Sequence, residues 1–257
     1  MKTFRLLQFN MQFGQGWDEA APDAAPIRIE QTIAEIRRHD ADVIMLQEVE
    51  HALPEGRQVE PAPNYTRLRE TLRDYDSWFA YPKADPRELP FGIGLAIFSR
   101  TPLRERRKID LPSPPVEFEF EGRRTTPTDR AMIGAKTTLL GREVQLFNTH
   151  LLAFFMLHTS SARHPEQRRR VVAELAACEG PTLLSGDFNV SGHDALIAQF
   201  APAGFSTVQR TKTTWRRRPY ILDHIFYNAP LRAVQHAVSP TLASDHHALV
   251  ADFEFSE

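Results

Sequence analysis

Six short apolar runs in this chain each abut a residue able to bind a cation or move a proton. Thr182-Leu183-Leu184 leads into Ser185-Gly186-Asp187-Phe188-Asn189, Leu6-Leu7-Gln8-Phe9 ends in Asn10, and the run 42–47 ends in Glu48. The run 144–149 ends in His150, Tyr220-Ile221-Leu222 in Asp223-His224, and 241–244 leads to Asp245-His246 just before Ala248-Leu249-Val250. Runs of this length, bounded by Gly and turn formers, read as buried strands. A single such end has a plain explanation, because Asp and Asn also close turns. Six do not, since each buried charge is costly unless it is paired or bound to metal. The recurrence predicts one polar cluster at the rim of a sheet core.

The residue types at these ends suit phosphoryl chemistry. A carboxylate binds a hard cation or takes a proton from water, and a carboxamide donates to a phosphoryl oxygen. Gly186 permits a bend that lets Asp187 and Asn189 face one point. Phosphate diesters repel nucleophiles, so a cation and directed donors must offset their negative oxygens.

The segments Leu7-Gln8-Phe9-Asn10, Leu46-Gln47-Glu48-Val49, Asn148-Thr149-His150-Leu151, Gly186-Asp187-Phe188-Asn189, Leu222-Asp223-His224-Ile225 and Ser244-Asp245-His246 resemble the endonuclease/exonuclease/phosphatase superfamily, the deoxyribonuclease-I-like phosphoesterases. They stand in that superfamily's order and span the chain. The resemblance implies an α/β four-layer sandwich, with two packed mixed β-sheets flanked by helices, as a single domain over 1–257. It also implies a Mg²⁺-dependent phosphoesterase, with Mn²⁺ as a substitute. Glu48 is the expected metal ligand, with Asp245 and Asn10 completing or supporting the site. Asp187 would hold or deprotonate the attacking water, and Asn189 would donate to the phosphoryl group. His246 would be oriented by Asp223, and His150 would bind a non-bridging oxygen or protonate the leaving group. His150 itself leans away from the superfamily's abasic-site endonucleases.

Arg130, in Asp129-Arg130-Ala131-Met132-Ile133, resembles an arginine that enters the family's site to bind substrate; a solvated arginine at a strand edge is the competing reading. Trp215-Arg216-Arg217-Arg218-Pro219 reads either as a solvated run or as a phosphate-contacting loop with an aromatic platform. Arg104–Lys108 and Arg168–Arg170 read as solvated, the latter on the outer face of a helix. The apolar segment 151–157 after His150 either covers the core or walls the site for a greasy leaving group. Helices are expected over 27–38 and 165–177, surface loops over 54–64 and 83–90, and a half-exposed strand over 116–120.

With a net charge of −2, nothing pulls the whole chain toward polyanions, so anion binding must be local. The expected substrate is a phosphate ester: a small molecule, a lipid headgroup or nucleic acid. A nuclease acting on DNA or RNA is the alternative; a non-catalytic binding protein retaining the fold would lack a site residue, and none is missing. No obligate protein partner is expected. The lone Cys178 reads as a buried free thiol in a helix. With no cleavable signal at the start and no apolar stretch long enough to span a bilayer, a cytoplasmic location is expected.

Overall fold

Strands buried on both faces must be apolar at nearly every position, which is why the motif runs lack clean alternation. In the computed structural model, which describes residues 2–256, the first strands are β1 (Phe4–Asn10), β2 (Val43–His51), β3 (Asp76–Ala80), β4 (Gly92–Ser99), β5 (Arg104–Leu111), β6 (Phe118–Phe120) and β7 (Arg123–Thr125). They are followed by β8 (Arg130–Leu139), β9 (Arg142–His150), β10 (Thr182–Asp187), β11 (Phe205–Thr207), β12 (Asp223–Asn228), β13 (Leu231–Ser239) and β14 (Ala248–Phe255). The α-helices are α1 (Ile29–Arg38), α2 (Pro63–Thr71), α3 (Glu166–Ala176) and α4 (His193–Phe200).

Two six-stranded mixed sheets form. Sheet I has the order β13-β14-β1-β2-β4-β3, and sheet II the order β11-β12-β10-β9-β8-β5. Phe4 and Leu6 of β1, Val43 and Met45 of β2, Val144 and Leu146 of β9, and Leu183 of β10 pack in the cluster between the sheets. Leu7, Phe9, Ile44 and Leu46 face Ile33 and Ile36 of α1 and Leu68 of α2. Phe147 and Leu184 face Val171 and Leu175 of α3 and Leu196 of α4. The four layers expected from the resemblance are therefore present.

Each inward stripe changes character toward one end. Along β1 the residues of one face run Phe4, Leu6, Gln8, Asn10; along β9, Val144, Leu146, Asn148, His150; along β10, Leu183, Ser185, Asp187. Side chains of one strand face recur every second residue, so these polar ends collect between the sheets at one edge of the sandwich.

Several sequence expectations need adjustment. Asp223 opens β12 rather than closing a strand, and it reaches the site because β12 runs antiparallel to β10, with Asp187 opposite Asp223. The loop expected over 54–64 gives way to α2 at Pro63, where the missing proline N–H costs nothing at the first helical position. The strand expected over 116–120 begins at Phe118. Arg168 is buried, with its Nη2 donating to Ser161 O at 2.9 Å, so it does not lie on the outer face of α3. Cys178 lies just past α3 and is only half-buried. Arg104, Arg106, Arg107 and Lys108 are solvent-facing and paired with acidic neighbours. Among the described residues no helix is long and apolar enough to cross a membrane.

Candidate active site

Two tight corners build the floor of the site. At the end of β10, Asn189 N donates to Asp187 Oδ1 at 2.9 Å, and Asn189 takes a left-handed φ of 49°. At the end of β1, Gln12 N donates to Asn10 Oδ1 at 3.1 Å, with φ 43° at Gln12. Such Asx turns bring the first side chain back over the strand end. Gly186 lies so close to β9 that an added Cβ would be 2.1 Å from Thr149 O, so no larger residue fits there.

Glu48 enters from an irregular stretch of β2, where the register with β4 shifts between Gln47 and Glu50 and φ at Glu48 is 50°. Its carboxylate lies over Gly92, where an added Cβ would be 2.1 Å from Glu48 Oε2. Asn10 Nδ2 donates to Glu48 Oε1 at 2.9 Å and to Asp187 Oδ2 at 3.0 Å, linking the sheets. His150 Nε2 stands 3.8 Å from Glu48 Oε1 and 3.7 Å from Asp187 Oδ2. His246 donates through Nδ1 to Asp223 Oδ2 at 2.8 Å, and its Nε2 faces Asp187 Oδ2 at 3.6 Å.

Packing these charges together shifts their protonation. Burial, reinforced by Asp245, pushes Glu48 up to about 7. Burial and then the neighbouring Asp223 raise Asp187 well above the usual carboxylate range. Burial works against a charged His246, yet Asp223 and Asp187 together lift it to about 10, so it is an imidazolium at neutral pH. His150 goes the other way: burial, with Arg130 and His246 adding repulsion, lowers it to about 3 and leaves it neutral. The two histidines are thus held in opposite states, the usual mark of divided acid–base roles.

Ligand atoms of Glu48, His150 and Asp187 lie within 4.8 Å of one another, as do those of Asp187, Asp223 and His246. In the second trio the histidine is protonated and committed to Asp223, which leaves the first as the better cation cradle. Its two carboxylates suit a hard divalent ion, which needs only one or two of them.

Not every expected residue converges in the same way. Asp245 is tied through Oδ2, which accepts from Trp215 Nε1 (3.1 Å) and Arg217 Nε (2.8 Å), while its Oδ1 lies 4.0 Å from His246 Nε2 and its charge is felt at Glu48. Arg130 Nη1 lies 3.2 Å from both oxygens of Glu88, although its charge is felt at Glu48 and His150. One amide proton of Asn189 is donated to Leu151 O at 2.9 Å. Within the arginine run, Arg216 donates to Thr241 O and Arg217 bridges Asp245 to Asp23, while Arg218 is exposed. The segment 151–157 divides: Phe154 is buried, Phe155 packs on Trp215 and Tyr220, and Met156 is exposed.

Other contributors are not singled out by the sequence reading. Gln8 Nε2 donates to Asp223 Oδ1 and Gln47 Oε1, both at 2.8 Å, and Gln47 Nε2 donates to Asn148 Oδ1 at 2.6 Å. Gln12 Oε1 accepts from Asp245 N at 3.1 Å. For Gln8 and Asn148 the available signal is a polar residue two places before the strand end, on the face of its apolar neighbours; Gln47, inside β2, and Gln12, past β1, carry no such mark.

The profile described as the Endonuclease/Exonuclease/phosphatase family matches residues 7–246. No curated protein sequence matches the chain. Among solved structures, an endonuclease/exonuclease/phosphatase from Beutenbergia cavernae has a TM-score of 0.73 at 20% identity, covering 100% of this chain and 72% of that one. The human nocturnin catalytic domain with bound sulfate gives 0.68 at 22% identity, covering 99% and 95%. A mannosyl-6-phosphatase from Bacteroides thetaiotaomicron gives 0.67 at 16% identity, covering 98% and 100%. At these identities the likeness establishes the fold.

Proposed function

The chain belongs to the endonuclease/exonuclease/phosphatase family, and on that footing we propose that it is a divalent-metal-dependent phosphoesterase using Mg²⁺, with Mn²⁺ able to substitute. The observation that carries this reading is the meeting of Glu48, His150 and Asp187 at one edge of the sandwich, beside the His246–Asp223 pair. A structural explanation of the polar strand ends does not account for two carboxylates held by a single amide between two sheets.

A divalent cation held by Glu48, with Asp245 and Asn10 completing or supporting the site, would neutralise the ester's negative oxygens and favour attack by water. Asp187, a stronger base than an ordinary carboxylate, accepts the proton of that water. His246, kept charged by Asp223, donates to a phosphoryl oxygen and stabilises the charge that develops there. His150, neutral, has one ring N–H to donate to a second non-bridging oxygen. Asn189 has a second amide proton for the phosphoryl group, and Asp245 supports the cluster from its edge, fixed by Arg217 and Trp215. Arg130 supplies positive charge on the Glu48 side.

Substrate classes remain to be separated by assay. Hydrolysis of bis-p-nitrophenyl phosphate, plasmid DNA, single-stranded RNA, sphingomyelin and inositol phosphates is measured with and without Mg²⁺ or Mn²⁺. Metal-dependent turnover of at least one class is expected. Glu48→Gln should lower it by more than the roughly 10–100-fold that a metal's outer partners contribute. Turnover indifferent to chelator, or unchanged in Glu48→Gln, would sink the proposal.

A further inference from the structure

Arginines that leave solvent in this fold are met by carboxylates. The half-buried ones are Arg5, Arg130, Arg216 and Arg217, and they face Asp252, Glu88, Glu19 and Asp245 in turn. Arg168 breaks that pattern. At 6% exposed it is the only buried arginine among the described residues. Burial and the neighbouring Arg169 lower its pKa, and no carboxylate acts in the other direction. A guanidinium does not shed its proton in a protein, so the charge stays. A buried charge without a counter-charge is strongly destabilising.

The donors of Arg168 point past the start of α3. It is the third residue of that helix, and helical side chains lean toward the N-terminus. Its Nη2 donates to Ser161 O at 2.9 Å, ahead of the N-cap Pro165. The guanidinium therefore lies in front of the first turn. Nε and both hydrogens of Nη1 find no acceptor in the protein. Pro165 supplies no side-chain cap, so the first N–H groups of α3 lack helical acceptors at the same end. Glu166, the acid of that turn, is exposed and does not offset the arginine.

A plain explanation for a buried arginine is packing of its methylene stem, with the charged head left in water. Here the head is enclosed as well. A guanidinium and a helix start are two devices by which proteins hold tetrahedral anions, and this end of α3 has both.

We propose that Arg168 and the N-terminus of α3 form a binding site for a small oxyanion of the phosphate class, built from none of the catalytic candidates. The inference stands apart from the phosphoesterase reading. Because Nε and Nη1 are closed to solvent, the turn carrying Ser161 lifts to admit the ion.

The test titrates inorganic phosphate into the full chain in chelator, by calorimetry and thermal melts, with chloride at matched ionic strength as the baseline. The melting temperature should rise by roughly 3–6 °C at a phosphate concentration of ten Kd. Arg168→Met should fold and lose the response, while folded His246→Ala should keep it. Arg168→Lys retains the charge without the planar fork, so its Kd should rise; it carries the test if Arg168→Met does not fold. Methyl phosphate separates two sources of the ligand. Arg168-dependent binding of inorganic phosphate alone identifies a free ion, and binding of both identifies a phosphate carried on an ester. No response beyond chloride, a response that persists in Arg168→Met, or a Kd unchanged in Arg168→Lys overturns the inference. Loss of binding in His246→Ala overturns it too, since the ion then sits at the reaction centre.

Discussion

Sheets I and II have the same internal grammar. Each is built on one parallel pair, β1 with β2 and β10 with β9, and every other neighbour is antiparallel. The likeness continues into the corners: Asn10–Gln12 and Asp187–Asn189 make the same turn, with the third residue left-handed in both. In each corner that third side chain ties down the neighbourhood of a histidine. Gln12 holds the backbone of Asp245, next to His246, and Asn189 holds that of Leu151, next to His150. The corners differ at their first residue, an amide in one sheet and a carboxylate in the other. Turn geometry asks only for an oxygen acceptor, which both supply. The choice between them is made by charge: a third carboxylate beside Glu48 and Asp187 would repel both, whereas the Asn10 amide donates to both.

Making the corners identical is the strongest way to break this division. Asp187→Asn gives both an amide and keeps an acceptor for the Asn189 N–H. Hydrolysis should fall by at least ~10³-fold, with a melting temperature no lower than that of the parent, since a buried charge is removed. Near-normal initial rates would show that the difference between corners is not catalytic.

The reverse swap, Asn10→Asp, should mainly cost stability, roughly 3 kcal/mol in chelator at pH 8. Glu48 is already raised from 4.5 to about 7 in the fold, and Asp187 is raised as well. Carboxylates raised on folding favour the native state below their unfolded pKa, and that contribution fades as pH climbs through the folded value. The deficit of Asn10→Asp should therefore be small at pH 5, grow through about pH 7, and shrink on adding Mg²⁺. Thermal melts across this range check the sign, and a deficit larger at pH 5 than at pH 8 would contradict it.

Smaller effects come from the pins. Gln12→Ala and Asn189→Ala should each cost about 1 kcal/mol by chemical denaturation. Because they hold different loops, the double variant should add to within about 0.5 kcal/mol. A larger coupling would mean that the two corners work as one unit.

Much of this arrangement could be read from the chain because strand ends and function coincide. Asn10, His150 and Asp187 each close a strand, so a run of apolar letters halted by a polar one marks both at once. Asp223 opens β12 instead of closing the run before it, because hydropathy does not say whether a polar residue begins or ends the run beside it. The sequence pattern does not mark helices α2 and α4. In α2 only Leu68 is a buried apolar side chain, so the helical stripe is too thin to register. The tethering of Arg130 by Glu88, 42 positions away, and of Asp245 by Arg217 depends on which loops meet in space. Local sequence carries no trace of such meetings.

The amide chain beneath the site has a consequence for the sandwich as a machine part. Apolar faces adhere without caring about small lateral offsets, because dispersion and water exclusion have little directionality. Apolar packing alone fixes lateral offset less sharply than directed bonds do, and a centre drawing Glu48 from one sheet and Asp187 from the other depends on that offset. The links from Gln8 to Asp223 and from Gln47 to Asn148 work like dowels driven through both sheets. Replacing Gln47 and Asn148 together with well-packed leucine and methionine would give a protein that is still folded and poorly aimed.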